Sequence, residues 1–257
     1  MSHGIAPTAR FSGRAEDYAK ARPGYPPEVV GVLREECGLV VGSEVADLGS
    51  GTGIFTRVLL EAGARVHAVE PNLDMRREAE HALSSWPTFT SVSASAEATT
   101  LPSESVDLVT AAQAFHWFDA ARVKEEMKRL LRAKRSVALV WNDRDLESTP
   151  FLREYEALLV ARCPGYRSLQ GKADTPEKFD ALFGRGGWRR RVVPNEQRLD
   201  RDGLIARLAS SSYAPTPSDP WYEATFGELV AIFERHAARG EVEMAYEVVL
   251  IVGRLGT

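Results

Sequence analysis

The sequence predicts an α/β fold in which a mostly parallel sheet is covered by helices on both faces. Three observations point there. Short runs that are apolar throughout, as in strands buried on both sides, alternate with helical stretches. A glycine-rich turn stands between the first such run and the helix after it. The composition, 257 residues with 44% hydrophobic and 26% charged, is that of an ordinary globular protein and excludes collagen-like, coiled-coil and disordered classes.

The elements follow in order. Pro26-Pro27 opens a helix that runs to about Cys37, proline being tolerated in a first helical turn. Glu44–Leu48 is a short buried strand, Ile54–Ala62 a helix stopped by Gly63, and Arg65–Glu70 the next strand. Leu73–Leu83 is helical, Thr88–Val92 and Val106–Ala112 are strands, and Ala120–Leu131 is a helix with Val123, Met127 and Leu130 on one face. Val137–Trp141 closes this series, whose strands separated by helices imply parallel crossovers. Between Asn142 and Gly187 the pattern loosens into aromatic and charged helical pieces, read as an inserted cap. Trp188–Leu199 is a strand, Gly203–Ser210 and Trp221–Ala238 are helices, and Val242–Leu255 returns to strand. The last two strands are expected to add an antiparallel edge. The whole is one domain over 1–257: an N-terminal lid (1–43), a ligand-binding core (44–142), the cap (143–187) and a C-terminal part of the core (188–257).

With Lys+Arg 32 against Asp+Glu 36 the net charge is -4, so no overall positive field gathers nucleic acid or anionic lipid. Cys37 and Cys163 stand far apart, and His3, His67, His81, His116 and His236 are scattered, so neither a disulfide framework nor a metal site is expected. The run Val248–Val252 is far short of the roughly 20 residues that cross a bilayer, and the first residues lack the apolar stretch of a signal peptide. A soluble cytoplasmic protein, monomer or homodimer, is the expectation.

The strongest local signal is Asp47-Leu48-Gly49-Ser50-Gly51-Thr52-Gly53, a strand running into a turn that opens a helix. Glycines let a ligand approach the main chain, and the helix start offers N–H groups. A dinucleotide fingerprint would carry its third glycine three residues after Gly51, but Ile54 stands there, so NAD is disfavoured. Glu70 ends the next strand beside the turn, where a carboxylate can accept hydrogen bonds from both hydroxyls of a ribose. Gln113 and Ala114 directly follow the fourth strand, at the end where ligands bind in open α/β sheets. His116 and Trp117 then face either a reaction pocket or the packing, and in a pocket His116 is the candidate general base.

Together, the glycine loop, Glu70-Pro71, Ala96–Pro102, and Asp107–Val109 followed by Gln113–Phe118 resemble the class I S-adenosylmethionine (SAM) dependent methyltransferases across roughly residues 14 to 142. Phe11, Tyr18 and Arg22–Tyr25 with Ala114–Phe118 are similar to the small-molecule branch that includes trans-aconitate methyltransferase-like (methyltransferase type 11) proteins. The resemblance implies a Rossmann-like fold with a seven-stranded sheet, SAM as cofactor and S-adenosylhomocysteine as product. It implies that Gly49, Ser50, Gly51 and Gly53 hold the methionine part, with Asp47 facing its ammonium or a water. Glu70 takes the ribose, Ala96 and Glu97 meet the adenine, and Gln113 borders the site. Tyr18 and Arg22 fold over the cofactor, and Tyr18, Phe115, His116 and Trp117 line the acceptor pocket, to which the composition of the cap adds Tyr155. Phe151, Tyr166 and Phe179 are further candidates for that lining, and Arg153, Arg162 and Arg167 for anion partners.

The expected function is methyl transfer to a small molecule. A methyltransferase acting on RNA or protein would need a basic or peptide-binding groove beside the pocket. Arg189–Arg191 and Arg129, Arg132, Lys134 and Arg135 are the basic clusters in question, read here as solvated faces. A non-catalytic SAM-binding protein would have its methyl route blocked by the cap.

Overall fold

The computed structural model describes residues 22–166 and 175–255, and at 133–135 the backbone only. Phe11, Tyr18 and Arg167 lie outside the described residues. Seven strands form one sheet: β1 (Glu44–Leu48), β2 (Arg65–Val69), β3 (Phe89–Val92), β4 (Val106–Ala112), β5 (Leu131–Arg144), β6 (Trp188–Leu199) and β7 (Val242–Gly253). Their spatial order is β3-β2-β1-β4-β5-β7-β6. The first five are parallel, and β7 runs antiparallel to both of its neighbours, β5 and β6. The helices among the described residues are α1 (Glu28–Cys37), α2 (Ile54–Glu61), α3 (Leu73–Leu83), α4 (Ala120–Leu130), α5 (Pro150–Arg162), α6 (Pro176–Phe183), α7 (Arg201–Ala209) and α8 (Tyr222–His236).

Local chemistry sets the helix ends. Asn72, Asp119, Thr149 and Asp200 each accept a hydrogen bond from a backbone N–H of the first turn of α3, α4, α5 and α7. Gly38 ends α1 in the left-handed region, φ 72°, where a side chain would be strained.

Alternation along the strands divides the interior in two. Val137 and Leu139 of β5 and Val249 and Ile251 of β7 face α4 and α6, packing with Met127, Leu130, Phe179 and Phe183. Ala138, Val140, Val248 and Leu250 face the opposite way, onto Val29 and Leu33 of α1 and Phe55 and Leu59 of α2. A third cluster joins α5, α7 and α8 around Tyr155, Leu208, Leu229 and Tyr246. Thus α6 lies on the sheet while α5 packs with the later helices.

β5 is longer than its apolar run suggests. Its pairing with β4 slips between Val106↔Leu131 and Leu108↔Ser136, and at its other end Asn142, Asp143 and Arg144 pair with Val248, Glu247 and Tyr246. At each polar end, pairing with a single neighbour, β4 at the start and β7 at the finish, overrides the polar sequence. The chain leaves β1 toward β2 and β3, then returns to add β4 and β5 on the other side. The connections therefore diverge between β1 and β4, and in open α/β sheets a crevice opens at the carboxyl ends of such a pair.

Candidate functional site

A cavity of about 840 Å³ lies at that crevice. The glycine turn forms its floor. Gly49 has φ 66° and touches the loop after β4 so closely that a Cβ would stand 2.7 Å from Ala114 Cβ and 3.1 Å from Phe118 Cζ. Its N–H and that of Ser50 both donate to Val69 O of β2, at 2.8 and 3.2 Å. Gly51 also has positive φ, 57°, but a Cβ there would meet nothing within 4 Å: the space beside it is open. Ser50 Oγ and Thr52 Oγ1, both at the cavity wall, are buried without a hydrogen-bond partner among the described residues. Such hydroxyls call for a ligand polar group to satisfy them.

Two buried carboxylates stand over this floor. Asp47 is fully buried, its oxygens accepting from Thr56 Oγ1 of α2 (2.7 Å) and Thr110 Oγ1 of β4 (2.8 Å). Burial pushes its carboxyl up to about 6, against the pull of the two hydroxyls and with a further push from the charge of Glu70. Glu70 is 8% exposed and accepts from Gly51 N–H at Oε2 (3.0 Å) and Asn72 N–H at Oε1 (2.8 Å). Burial raises its pKa too, while those two N–H groups and Arg76 oppose the rise. Each Glu70 oxygen retains acceptor capacity.

Ala96, Glu97 and Gln113 line the side walls. One Glu97 oxygen accepts from Asp119 N–H (3.1 Å), tying the loop after β3 to the start of α4. Gln113 has φ 55° and is held by Gln113 N–H to Val140 O (2.8 Å) and Nε2 to Asn142 O (3.3 Å). His116 and Trp117, in the short 3-10 turn Phe115–Trp117, line the cavity with ring centroids 4.8 Å apart. Arg22 lines it from the N-terminal side, donating to Ser210 O at 3.5 Å.

Of the residues named from sequence, Gly53, Phe115 and Tyr155 do not line the cavity. Gly53 opens α2 with φ 82° and packs on α3, where a Cβ would meet Leu83 Cδ1 at 2.8 Å. Phe115 is buried on the α4 face of the sheet, and Tyr155 is 1% exposed in the third core, its hydroxyl without a hydrogen-bond partner among the described residues. Among the aromatics of the segment expected to form a cap, Phe179 reaches the wall, while Phe151 and Tyr166 stay in the third core.

The sequence reading missed several wall residues: Trp141, Phe118, Trp188, Tyr213 and Arg207. Phe118 stood in the Gln113–Phe118 motif, and Arg207 left a trace, since Leu204, Arg207 and Leu208 share one helical face and put a cation among apolar positions. It also missed a clamp on the N-terminal segment. Asn142 Nδ2 and Asn195 Nδ2 both donate to Gly24 O at 2.9 Å, and Asn195 Nδ2 also donates to Asn142 Oδ1 at 3.0 Å. Tyr25 adds an edge-on contact with Phe55, centroids 4.9 Å apart.

A family model described as a methyltransferase domain matches residues 46–139. An uncharacterized methyltransferase of Mycobacterium tuberculosis (strain H37Rv) is 34% identical over 228 residues, covering 89% of this chain and 87% of its own. The structure of a candidate type II methyltransferase from Anaeromyxobacter dehalogenans superposes with a TM-score of 0.64 at 24% identity, covering 91% of this chain and 97% of its own. The phosphoethanolamine N-methyltransferase 2 of Haemonchus contortus, solved with S-adenosyl-L-methionine, gives 0.57 at 13% identity, covering 100% and 62%. The two structural likenesses speak to the fold, and the mycobacterial relative extends along nearly the whole chain. With its switch-point cavity, glycine floor and acidic β2 terminus, the chain belongs to the class I SAM-dependent methyltransferases.

Proposed function

We propose that the methyl acceptor is a small molecule that enters the far half of the cavity. The observation that carries this reading is the cavity itself: the glycine floor and a wall of Trp117, Phe118, Trp141, Phe179 and Trp188 bound one space. Its size lies within the roughly 300–1,000 Å³ of cofactor and small-ligand sites. The basic clusters also favour a small acceptor. Arg191 and Arg189 share the single carboxylate of Glu36, while Arg129 pairs with Glu126 and Arg132 with Asp107, so much of this positive charge is offset locally.

When bound, SAM supplies a methyl on a sulfonium, an electrophile whose leaving group needs no acid. The protein has to hold and align. Ser50 Oγ, Thr52 Oγ1 and the open space at Gly51 receive the amino-acid end, with Asp47 facing its ammonium. Glu70 accepts from the ribose hydroxyls, and Ala96 with Glu97 borders the base. Aligning an acceptor in line with the methyl can supply about 7–11 kcal/mol of barrier lowering. The faces of Trp117 and Phe118 favour the sulfonium by about 0.5–2 kcal/mol. His116 takes the proton when the acceptor is a hydroxyl, whereas a carboxylate or thiolate needs no base. Tyr18, outside the described residues, retains its proposed place over the methyl.

The cytoplasm is proposed on the unpaired thiols of Cys37 and Cys163; no described helix is long and apolar enough to cross a membrane.

The test is calorimetric titration with S-adenosylhomocysteine, followed by transfer of labelled methyl to small-molecule and macromolecular fractions of a cell extract. Wild type should bind saturably, NAD should not, and Glu70→Ala should lose about 10- to 100-fold, as expected for hydrogen bonds to a charged group. Label should enter the small-molecule fraction. Label confined to protein or RNA would overturn the small-acceptor reading.

A further inference from the structure

Of the cations in the cavity wall, Arg207 is the buried one, and the proposed methyl transfer does not use it. Arg207 of α7 is 6% exposed, on the helix face that carries Leu204 and Leu208. Its Nε donates to Tyr246 Oη and its Nη1 to Ser211 Oγ, both at 3.2 Å and both to neutral groups. Nη2 makes no hydrogen bond among the described residues, and no described Asp or Glu oxygen lies within 4.0 Å of the guanidinium. A half-buried arginine of this region, Arg144, shows the contrast: Glu156 neutralises it and Tyr166 Oη accepts from it. A buried guanidinium with only neutral partners is costly unless an anion completes it.

The setting orients that demand. Tyr246 Oη also lies 3.4 Å from Gln197 Oε1 and 3.0 Å from Met244 Sδ, acceptors for its proton, so an oxygen lone pair is left for Arg207 Nε. The Nε and Nη1 contacts fix the plane of the guanidinium, while the residue lines the cavity. Charge is distributed unevenly around that space. Asp47, Glu70 and Glu97 follow or end β1, β2 and β3 at the glycine floor, whereas Arg207 and the half-exposed Arg190 belong to the part of the fold around β6 and α7, where Arg22 also reaches Ser210 O from the N-terminal segment. Arg190 approaches Glu247 only at 3.8 Å. Asp143 also lines the cavity, from the end of β5, without coming into ion-pair range of Arg207.

We propose that Arg207 anchors an oxyanion, a carboxylate or a phosphate, on the methyl acceptor and so selects small anionic acceptors. This rests on the small-molecule reading of the cavity. It makes Arg207 a binding and specificity residue, with a planar donor fork suited to such groups. The carboxylate-rich floor is left to the cationic end of the cofactor.

The experiment is titration of the protein, saturated with S-adenosylhomocysteine, with citrate and with inorganic phosphate at fixed ionic strength. Wild type, Arg207→Met and Arg207→Lys are compared. At least one anion should bind wild type saturably and Arg207→Met at least about tenfold more weakly, with Arg207→Lys intermediate, because the charge survives but the fork does not. Affinity for S-adenosylhomocysteine should stay within about twofold in both variants, since neither change touches the glycine floor. Which anion binds separates carboxylate from phosphate. Saturable binding of neither anion, or equal binding by Arg207→Met, overturns the proposal. If Arg207→Met is unfolded, equal binding by Arg207→Lys and wild type overturns it, and weaker binding by Arg207→Lys supports it. If wild type fails to bind S-adenosylhomocysteine, the methyl-transfer reading falls, and the same anion titrations on the unliganded protein decide Arg207 independently.

Discussion

Gly49 meets two separate demands, a φ of 66° and a neighbour that leaves no room for a Cβ. Gly49→Ala therefore combines backbone strain with a clash against Ala114, and a loss of about 2–5 kcal/mol is expected in denaturant unfolding. An unchanged midpoint would mean that the turn yields easily. Tyr155 invites the opposite experiment. Its hydroxyl is buried without a hydrogen-bond partner among the described residues, and the Arg144 guanidinium lies 4.9 Å from the centre of its ring. Tyr155→Phe keeps the ring and removes the unsatisfied group, so the melting temperature should hold or rise and methyl transfer should persist. A selective loss of turnover would return Tyr155 to the acceptor pocket that the sequence suggested for it. The two residues differ in legibility for a physical reason. Gly49 and Glu70 belong to contiguous strand-to-loop patterns whose geometry local sequence specifies. Whether Tyr155, Trp188 or Arg207 meets the cavity depends on how distant segments pack, and no local spacing encodes that.

At the level of elements, apolar periodicity marks α1 to α4 and β1 to β4 within a residue or so, because burial on two faces or one stripe dictates their composition. β5 is the informative exception. Arg132 at one end and Asn142, Asp143 and Arg144 at the other hide strand residues that owe their conformation to neighbours far along the chain. One of these, Asn142, reaches Gly24 together with Asn195 of β6 and holds the N-terminal segment against the sheet. Replacing both asparagines with alanine should speed limited proteolysis near Gly24 while barely moving the global melting temperature, since the bonds are peripheral to the cores. A large drop in melting temperature would instead make the clamp part of the cooperative unit.

Over the whole molecule, two acidic groups pull the pH profile of stability in opposite directions. Asp47 is raised from 3.8 to about 6 by burial, so the unfolded chain ionises first. Stability attributed to it is full below about 3.8 and lost as pH climbs through 6. Glu126 is lowered from 4.5 to about 2, chiefly by the Arg129 guanidinium, with Thr99 assisting against burial. Its contribution is present above 4.5 and lost as pH falls toward 2. Melting curves from pH 2 to 8 should show Asp47→Asn flattening the decline between about 4 and 6, and Glu126→Gln removing the rise between about 2 and 4.5. Identical profiles for wild type and both variants would deny either carboxylate that role. The sheet order has a consequence of another kind, for how the chain reaches this state. β6 is hydrogen-bonded to β7 alone, and β7 is made only after α7 and α8. A nascent chain can pair β1 through β5, but β5 stays an open edge and β6 a strand without a partner until β7 inserts between them. Closure at so great a sequence distance is slow, and the waiting edge is where a refolding chain is most exposed to aggregation.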